Sequence, residues 1–448
     1  MTRCQLLGHV APSSVLFGLG ERTRVDQVAS RLSHESTMVR YLGCGTSEET
    51  QMNDLLTATQ AAARLGVKRE TIYAYVSRGA LPRQRDGRIS YFRPEDVDRL
   101  LQEGRRPSLN EFGKTSRLST LKDDMLHYRA RPVSELVEQP FESVAHFLWT
   151  GRWEESVGWV ANAESVAVAR RVGTSLPQET ISSDRLRVML AAVTAADPFR
   201  SDSSIQSAAH AAGPLLRTLV EAMPQRSEPI DVDLASMLWS RLSTITPNEE
   251  QVRVLNAALV LLADHGLSPS TYAAQIAASA HADLYGVLAA GLGVGSSAVL
   301  GASATAVEAM LSTFGDTHGT MFVLSARLRD EGRLPGFGHP QHPQGDARAS
   351  HLLKLLKPLA TEDARLQRSF EMLALLKSRR LPPPNVYLAL GMIADSSSME
   401  HGASEVMFGI ARSAGWIAHA IDEYEMGTIS RLREPHRAVE RGWPQTQD

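Results

Sequence analysis

Apolar residues along most of the chain follow the spacing of amphipathic helices. In residues 134–149, one face of a helix would carry Leu136, Val137, Phe141, Val144, Ala145 and Leu148. Comparable spacing recurs at residues 183–195, 251–263, 271–291, 303–314, 362–378 and 404–421. No alternation of apolar and polar residues that would indicate strands stands out after residue 100. The pattern therefore predicts a mainly all-α protein.

Breaks in this pattern predict five parts. Residues 1–52 show no sustained periodicity and are interpreted as a loosely structured leader. A compact unit at residues 53–104 is followed by a polar linker at 105–118. The remaining parts are a large helical body at 119–440 and a short tail at 441–448.

Composition narrows the class of protein. The chain of 448 residues is 43% hydrophobic and 22% charged, with a net charge of −3, which is typical of a folded globular protein. Its two cysteines, Cys4 and Cys44, both lie in the predicted leader, so a disulfide framework is excluded and a cytoplasmic location is expected. Residues 284–304 are strongly apolar, but their many glycines favour two buried helices over a membrane span. No membrane association is expected.

The compact unit carries the signals of two short helices separated by a turn. Thr59 is predicted to cap a first helix that ends near Leu65, and Gly66 suits the turn. A second helix is predicted from about Lys68 to Ser77. This spacing indicates a helix-turn-helix, whose second helix can enter a DNA major groove.

The rest of this unit suits a hairpin wing with Asp86-Gly87 at its tip, then a third helix from Pro94 to about Leu101. Residues 64–106 hold 11 Lys or Arg against 6 Asp or Glu. A basic unit inside a slightly acidic chain is what phosphate contact requires.

Residues 57–101 resemble the winged helix-turn-helix domains of the MerR/excisionase type. The resemblance rests on the segments Leu-Gly-Val and Thr-Ile-Tyr, the turn Ser-Arg-Gly and the ending Tyr-Phe-Arg-Pro-Glu-Asp-Val. It implies DNA as a partner, with a basic module for protein contacts or dimerisation as the alternative. The candidate DNA-binding residues are Lys68, Arg69, Thr71, Tyr73, Tyr75, Arg78, Arg85 and Arg88.

From about residue 118 to residue 440 the chain resembles the citrate synthase family. The segments that carry the resemblance are Ala-Asp-His-Gly-Leu-Ser-Pro from residue 263, Gly-Phe-Gly-His from 336, Asp-Ala-Arg-Ala from 346, Pro-Asn-Val from 384 and Ala-Arg-Ser-Ala-Gly from 411. The resemblance implies a large and a small helical domain, with the small one within about residues 315–420. It also implies a homodimer.

The resemblance assigns the acceptor side of the family's site to residues that this chain has kept. His339 would polarise the carbonyl of oxaloacetate, and His265 would bind the same substrate. The carboxylates would be bound by Arg348 and Arg412, because guanidinium groups match carboxylates with paired hydrogen bonds. A third arginine, which the partner subunit donates in the family, corresponds to Arg433, and the neighbouring motif leaves Arg437 as an alternative.

The donor side departs from the family pattern. Where the family has Pro-Leu-His-Gly-Gly-Ala-Asn, residues 298–304 read Ala-Val-Leu-Gly-Ala-Ser-Ala, so Leu300 replaces the histidine that stabilises the enolate. Where the family has Pro-Asn-Val-Asp, Tyr387 replaces the catalytic base. Leucine donates no hydrogen bond, and a phenol with a pKa of about 10 is a poor base at neutral pH.

These features support three hypotheses. The first is a DNA-binding regulator that responds to an oxaloacetate- or citrate-like di- or tricarboxylate and has weakened or lost condensing activity. The second is an active citrate or 2-methylcitrate synthase-type acyltransferase, with acetyl-CoA or another acyl-CoA as co-substrate. The third is a non-catalytic partner for an active paralogue. No metal and no resident cofactor are expected in any of them.

Overall fold

The structure is a computed structural model that describes residues 55–97 and 117–426, apart from residues 66, 78–80, 88, 123–124, 203, 298–301, 315–316, 332–333, 340 and 380. The predicted leader and tail lie outside the described residues, as does the predicted linker up to residue 116. The chain divides into two units, Met1–Arg106 and Pro107–Asp448. Each is presented by itself below.

The first unit combines short helices with a small antiparallel sheet. Its elements in chain order are β1 (Leu56–Thr57), α1 (Ala58–Leu65), α2 (Arg69–Ser77), β2 (Gln84–Asp86) and β3 (Ile89–Phe92). A further helix begins at Pro94. The strand order is β1-β3-β2, so the predicted hairpin wing is present and β1 extends its sheet.

The first helix begins two residues before the predicted position. Thr57, rather than Thr59, caps α1: the Thr57 hydroxyl accepts from the Gln60 N–H at 3.4 Å, and the Gln60 side chain accepts from the Thr57 N–H at 2.9 Å. This reciprocal pair is a capping box, which satisfies two backbone donors at the start of the helix. The prediction of Thr59 was wrong because it ignored the position of Gln60, three residues after Thr57.

A small apolar core holds this unit together. Ala61, Ile72 and Phe92 are fully buried, one from each helix and one from β3. Leu81 and Val97 complete the core from the segments on either side of the sheet. Burying the apolar face of α2 leaves its opposite face open to solvent.

The second unit begins with three strands that the sequence pattern did not predict. They are β4 (Ser119–Lys122), β5 (Met125–Tyr128) and β6 (Arg131–Pro132), antiparallel in the order β4-β5-β6. Strands of four residues or fewer are too short for alternation to show above a helical background. The expectation of no strands after residue 100 was therefore wrong for this sheet, while the mainly helical class is confirmed.

The rest of the second unit is helical. Its helices are α3 (Val133–Leu136), α4 (Phe141–Thr150), α5 (Ala163–Thr174), α6 (Ser182–Ala196), α7 (Ile205–Ala222), α8 (Leu234–Leu242), α9 (Glu249–Leu262), α10 (Pro269–Ser279), α11 (Leu284–Gly295), α12 (Ala302–Leu311), α13 (Thr317–Glu331), α14 (Ala347–Leu359), α15 (Ala364–Ser378), α16 (Val386–Ser396) and α17 (Ala403–Met426). The helix predicted over 134–149 is two helices, because Pro140 supplies the cap of α4 and cannot continue α3. The stretch predicted at 271–291 is likewise divided, with Asp283 capping α11.

The central helix of this unit is α17, which is buried along almost its whole length. It packs against α9, α10 and α11. Gly415 permits the closest approach, since a Cβ there would lie 2.4 Å from the Ala263 carbonyl oxygen and 2.6 Å from Asp264 Oδ1. This contact brings the polar residues of α17 beside the segment that follows α9. Within the described part of the chain, no helix is both long and apolar enough to cross a membrane.

Candidate functional site

Three histidines form the polar centre of the second unit. His265 follows the end of α9, while His339 and His342 lie in the loop before α14. The Nε2 atoms of His265 and His342 are 2.8 Å apart, and the ring centroids in the three pairs lie 4.9 to 5.8 Å apart. The three imidazoles therefore lie close together. The sequence predicted two of them, His265 and His339, as site residues.

Arg348 lies beside this cluster in a buried ion pair with Asp346. Arg348 Nε donates to Asp346 Oδ1 and Arg348 Nη2 donates to Asp346 Oδ2, both at 2.9 Å. Asp346 also caps α14 and accepts from the Val386 N–H at 3.0 Å. Burial opposes its ionisation, but the charge and hydrogen bonds of Arg348 lower the pKa of Asp346 to about 2. The pair joins the starts of α14 and α16 and fixes the guanidinium orientation.

Arg412 supplies a second buried guanidinium from α17. Its Nε donates to the Leu262 carbonyl oxygen at 2.7 Å, and its Cζ lies 4.9 Å from the centre of the Phe408 ring. One N–H of the five is thus used by the backbone at the end of α9. Because guanidinium groups remain charged even when buried, the site holds two fixed cations.

Burial and, after it, the charge of these arginines lower the pKa values of the histidines. Burial, together with Arg348 and Arg412, lowers the pKa of His265 well below its usual value. Burial and Arg348 lower the pKa of His339 to about 4, while Asp346 partly opposes this shift. Both imidazoles are therefore neutral near pH 7 and act by hydrogen bonding rather than as cations.

A hydrogen-bond network around the Asp264 carboxylate holds the backbone next to His265. Asp264 Oδ2 accepts from the Ser119 hydroxyl and, at 3.3 Å, from His419 Nε2. Gln275 Nε2 donates to His419 Nδ1 at 3.1 Å, which leaves the His419 proton on Nε2 for Asp264. Burial raises the pKa of Asp264, but the contact with His419 shifts it downward overall. Sequence reasoning missed this network, because its members lie on β4, the segment after α9, α10 and α17.

Tyr128 on β5 completes the support. Its hydroxyl donates to the Val260 carbonyl oxygen at 2.9 Å, and the Asp264 N–H donates back to that hydroxyl at 3.1 Å. The ring is fully buried. The short sheet that the pattern did not predict thus ties the end of α9 in place, directly before His265.

Tyr387 lies at the second residue of α16, where the family resemblance implies a carboxylate base. Its ring is partly buried and lies 6.0 Å from the Phe408 ring, centre to centre. Burial raises the pKa of its hydroxyl above the usual value. The group at this position is therefore a neutral phenol near pH 7, so it offers no basic oxygen.

The structure brings together four of the predicted site residues, namely His265, His339, Arg348 and Arg412. Leu300, Arg433 and Arg437 lie outside the described residues. His342 joins the site without having been assigned to it, although its spacing of three residues from His339 was a usable signal. Among the residues that the structure describes, no group of three or more His, Cys, Asp or Glu is arranged to hold a metal ion.

The candidate DNA-binding residues of the first unit differ in exposure. Lys68, Arg69, Tyr73 and Arg85 are exposed. Hydrogen bonding to Arg69, with Ser90 as a further partner on β3, lowers the pKa of the Tyr73 hydroxyl and links α2 to the wing.

Two other candidates are less accessible than predicted. Thr71 is partly buried, and Tyr75 packs against the apolar core of the unit. Tyr75 points towards the core because it lies three residues from the buried Ile72, on the same face of α2. Arg78 and Arg88 lie outside the described residues.

Comparison with known proteins identifies relatives of both units of the chain. Residues 55–105 match the helix-turn-helix domain family. Citrate synthase 2 of Bacillus subtilis is 25% identical over 353 residues, which span 73% of this chain and 94% of that protein. A 2-methylcitrate synthase of Mycobacterium tuberculosis is 24% identical over 325 residues, which span 68% and 83%.

Solved structures agree on the fold. Citrate synthase from Thermoplasma acidophilum, in a ternary complex with carboxymethyl coenzyme A and oxaloacetate, superposes with a TM-score of 0.61 at 20% identity, covering 74% of this chain and 95% of that one. Citrate synthase from Thermotoga maritima gives a TM-score of 0.59 at 22% identity, covering 72% and 93%. The model of the citrate synthase C-terminal domain matches residues 111–433. The chain, which carries a helix-turn-helix domain before this region, therefore belongs to the citrate synthase family.

Proposed function

We propose that the protein is a DNA-binding regulator that responds to a carboxylate. Its citrate synthase-like body binds an oxaloacetate- or citrate-like di- or tricarboxylate, and its condensing activity is weakened or lost. The observation that carries the proposal is Tyr387: a neutral phenol with a raised pKa lies at the position that the family resemblance assigns to the catalytic base. The helix-turn-helix domain supplies the other half of the argument.

The carboxylate-binding half rests on the two buried arginines. Arg348 and Arg412 retain N–H groups beyond those that the Asp346 and Leu262 contacts use. His265 and His339 add neutral hydrogen-bond donors, because their pKa values are lowered. Two cations and two imidazoles suit a carbonyl-bearing dicarboxylate, and the Thermoplasma acidophilum relative was solved with oxaloacetate.

The loss of condensing activity follows from the size of the missing contributions. A positioned general base typically contributes about 10²–10⁴ in rate. Leu300 cannot donate the hydrogen bond that stabilises a developing enolate, and one such donor contributes about 10²–10³. These factors do not simply multiply, because groups that act together are not additive. Loss of the base at position 387 or of the donor at position 300 would each be enough to make condensation slow.

The DNA-binding half rests on the exposed basic residues of α2 and the wing. Lys68 directly precedes α2, Arg69 is the first residue of α2, and Arg85 lies on β2. In the homodimer that we expect, two such domains would read two half-sites. A carboxylate that changes the conformation of the body would then change the preferred spacing of the half-sites.

DNA binding that depends on a carboxylate tests this proposal directly. Duplexes selected from a random library by the full-length protein should bind with a steep salt dependence, measured by fluorescence anisotropy. Addition of oxaloacetate should change the affinity severalfold, and Arg412→Leu should abolish that response while leaving DNA binding intact. Failure to retain any duplex at about 50 mM salt would contradict the proposal, since electrostatic binding is strongest at low salt.

An active acyltransferase is the second candidate. The grouping of His265, His339, Arg348 and Arg412 favours it, as do the relatives named citrate synthase and 2-methylcitrate synthase. Release of CoA in the presence of oxaloacetate distinguishes the two candidates. Acetyl-CoA and propionyl-CoA should be compared, because one extra methylene in a pocket changes selectivity by about 10–200-fold.

A further inference from the structure

His342 is the buried residue of the site that neither the family resemblance nor the proposed function uses. Its ring centroid lies 5.0 Å from that of His265 and 4.9 Å from that of His339, so the three rings form a triangle. Its Nε2 is 2.8 Å from His265 Nε2, and its backbone N–H donates to the His339 carbonyl oxygen at 3.0 Å. The loop thus holds a third imidazole against a residue expected to bind the ligand.

Charged and titratable groups face these histidines from every neighbouring element. From the start of α14, Arg348 and Asp346 form the buried ion pair. From α17, Arg412 acts on His265 and His339, and from α16 the Tyr387 hydroxyl remains neutral.

Behind His265, the carboxylate of Asp264 is engaged by Ser119 and His419. The local carboxylates are thus already paired. Asp346 favours a positive charge on His339, whereas Arg348 and Arg412 oppose it on both His265 and His339.

We propose that His342 is a further ligand-binding residue of this site, and that the His265–His342 pair takes up one proton when a carboxylate ligand binds. The inference rests on the proposed function only in requiring that the site binds a carboxylate. It assigns His342 to the binding site and makes ligand binding dependent on pH: the site would bind its ligand more tightly as pH falls.

The geometry supports a shared proton. At 2.8 Å, one Nε2 of the pair donates and the other accepts, and the pair can keep this contact when one of its rings takes up a second proton. Arg348 and Arg412 disfavour a third cation there, which agrees with the lowered pKa of His265. A bound carboxylate adds negative charge beside the pair and favours its protonated form. The proton comes from solvent and remains on the pair, so no bond of the ligand is broken.

Isothermal titration calorimetry with oxaloacetate tests the inference on the full-length protein. Oxaloacetate suits the purpose because its carboxyl groups are ionised throughout pH 6.5–8.0. Titrations in two buffers of different ionisation enthalpy should report uptake of about one proton near pH 6.5. Because binding takes up a proton, the affinity for oxaloacetate should fall as pH rises. The decrease should reach about tenfold per pH unit where the uptake is one full proton.

His342→Gln separates titration from hydrogen bonding. A glutamine amide can still contact His265 but takes up no proton in this range. We expect this variant to bind oxaloacetate with no proton uptake, about tenfold more weakly than wild type at pH 6.5 and nearly equally at pH 8.0. The matched control is His210→Gln on α7, where His210 is exposed and uptake should stay at the wild-type value. A thermal melt of each variant confirms folding.

The outcomes are distinguishable. Binding without proton uptake in the wild type, or undiminished uptake in His342→Gln, overturns this inference and leaves the proposed carboxylate site intact. Absence of oxaloacetate binding at any pH overturns the proposed function and this inference together. Uptake of about one proton that His342→Gln removes supports the role of His342.

Discussion

The two sides of the site have different chemistry. On the acceptor side, Arg348 and Arg412 are buried and held by contacts with Asp346 and Leu262, and His339 is partly buried. At the position that the family resemblance assigns to the base, Tyr387 presents an aromatic ring that lies 6.0 Å from the Phe408 ring, centre to centre. One side presents two buried guanidinium groups, whereas the other lacks a basic group.

This contrast separates binding from proton abstraction. Binding a carboxylate requires hydrogen-bond donors whose orientation is already fixed by neighbouring groups. Removing a weakly acidic proton requires a base with a suitable pKa at the reacting carbon. The acceptor side meets the first requirement, and Tyr387 does not meet the second.

The largest expected effect comes from restoring the missing groups. Tyr387→Asp together with Leu300→His should raise CoA release from acetyl-CoA and oxaloacetate by at least about 10²-fold. The new carboxylate would lie in the first turn of α16, where the helix dipole favours negative charge. The rate is measured with a thiol reagent that detects free CoA.

The two single variants are the controls for this restoration, and each should recover less than the double variant. A double variant that folds but releases no more CoA than wild type would show that the contrast extends beyond these two positions, into the acyl-CoA pocket.

The next largest effect comes from breaking the anion-binding side. Arg348→Leu leaves the buried Asp346 carboxylate without its partner, which typically costs about 3–5 kcal/mol of unfolding free energy. Oxaloacetate binding should also be lost. Chemical denaturation and calorimetry measure the two effects.

Arg253→Leu is the matched control, because Arg253 forms an exposed pair with Glu138 at 2.8 Å. Exposed pairs contribute about 0–1 kcal/mol. Equal destabilisation by the two variants would contradict the assignment of Arg348 to a buried, ordered site.

A smaller effect is expected from pH. The pKa of His339 is about 4 in the folded protein against about 6.5 when unfolded, so the folded state binds fewer protons between these values. The contribution of His339 to stability is therefore complete above pH 6.5 and is lost as pH decreases towards 4. Because the ring is partly exposed, we expect a loss of about 2 kcal/mol, below the full value of the shift.

Comparing wild type with His339→Asn by urea denaturation at pH 7.0 and 4.5 measures this contribution. The variant should lose less stability than wild type over that interval. The same loss in both proteins would place the lowered pKa elsewhere in the molecule.

The smallest effect concerns the DNA-binding unit. Arg69→Ala should weaken binding to selected duplexes about equally for all sequences and reduce the slope of log affinity against log salt by about one. Arg253→Ala, on an exposed arginine of the body, should leave the slope unchanged. If the slope is unaltered in Arg69→Ala, Arg69 on α2 does not contact a DNA phosphate.

Much of the acceptor side could be predicted from the sequence. Short motifs around His265, His339, Arg348 and Arg412 identified these residues before their positions were known, because each motif resembles a segment of the citrate synthase family. The substitution at Tyr387 was equally visible. These predictions depended on local sequence, which the family fold places reliably.

Other features depended on contacts between distant segments. His342 meets His265 across 77 residues, and Asp264 meets His419 across 155 residues, so neither pair leaves a local pattern. The sheet at residues 119–132 escaped prediction because its strands are short, although it supplies Ser119 and Tyr128 to the network. Helix boundaries failed where capping side chains decided them, as at Thr57.

The most direct test of the central claim is CoA release by the wild-type protein, measured with acetyl-CoA and oxaloacetate at saturating concentrations. The account predicts that oxaloacetate binds and that CoA release stays below about 10⁻² s⁻¹, at least 10²-fold under an ordinary turnover of about 1 s⁻¹. Turnover of about 1 s⁻¹ or more would contradict it, because the site would then hold a working base that Tyr387 does not provide.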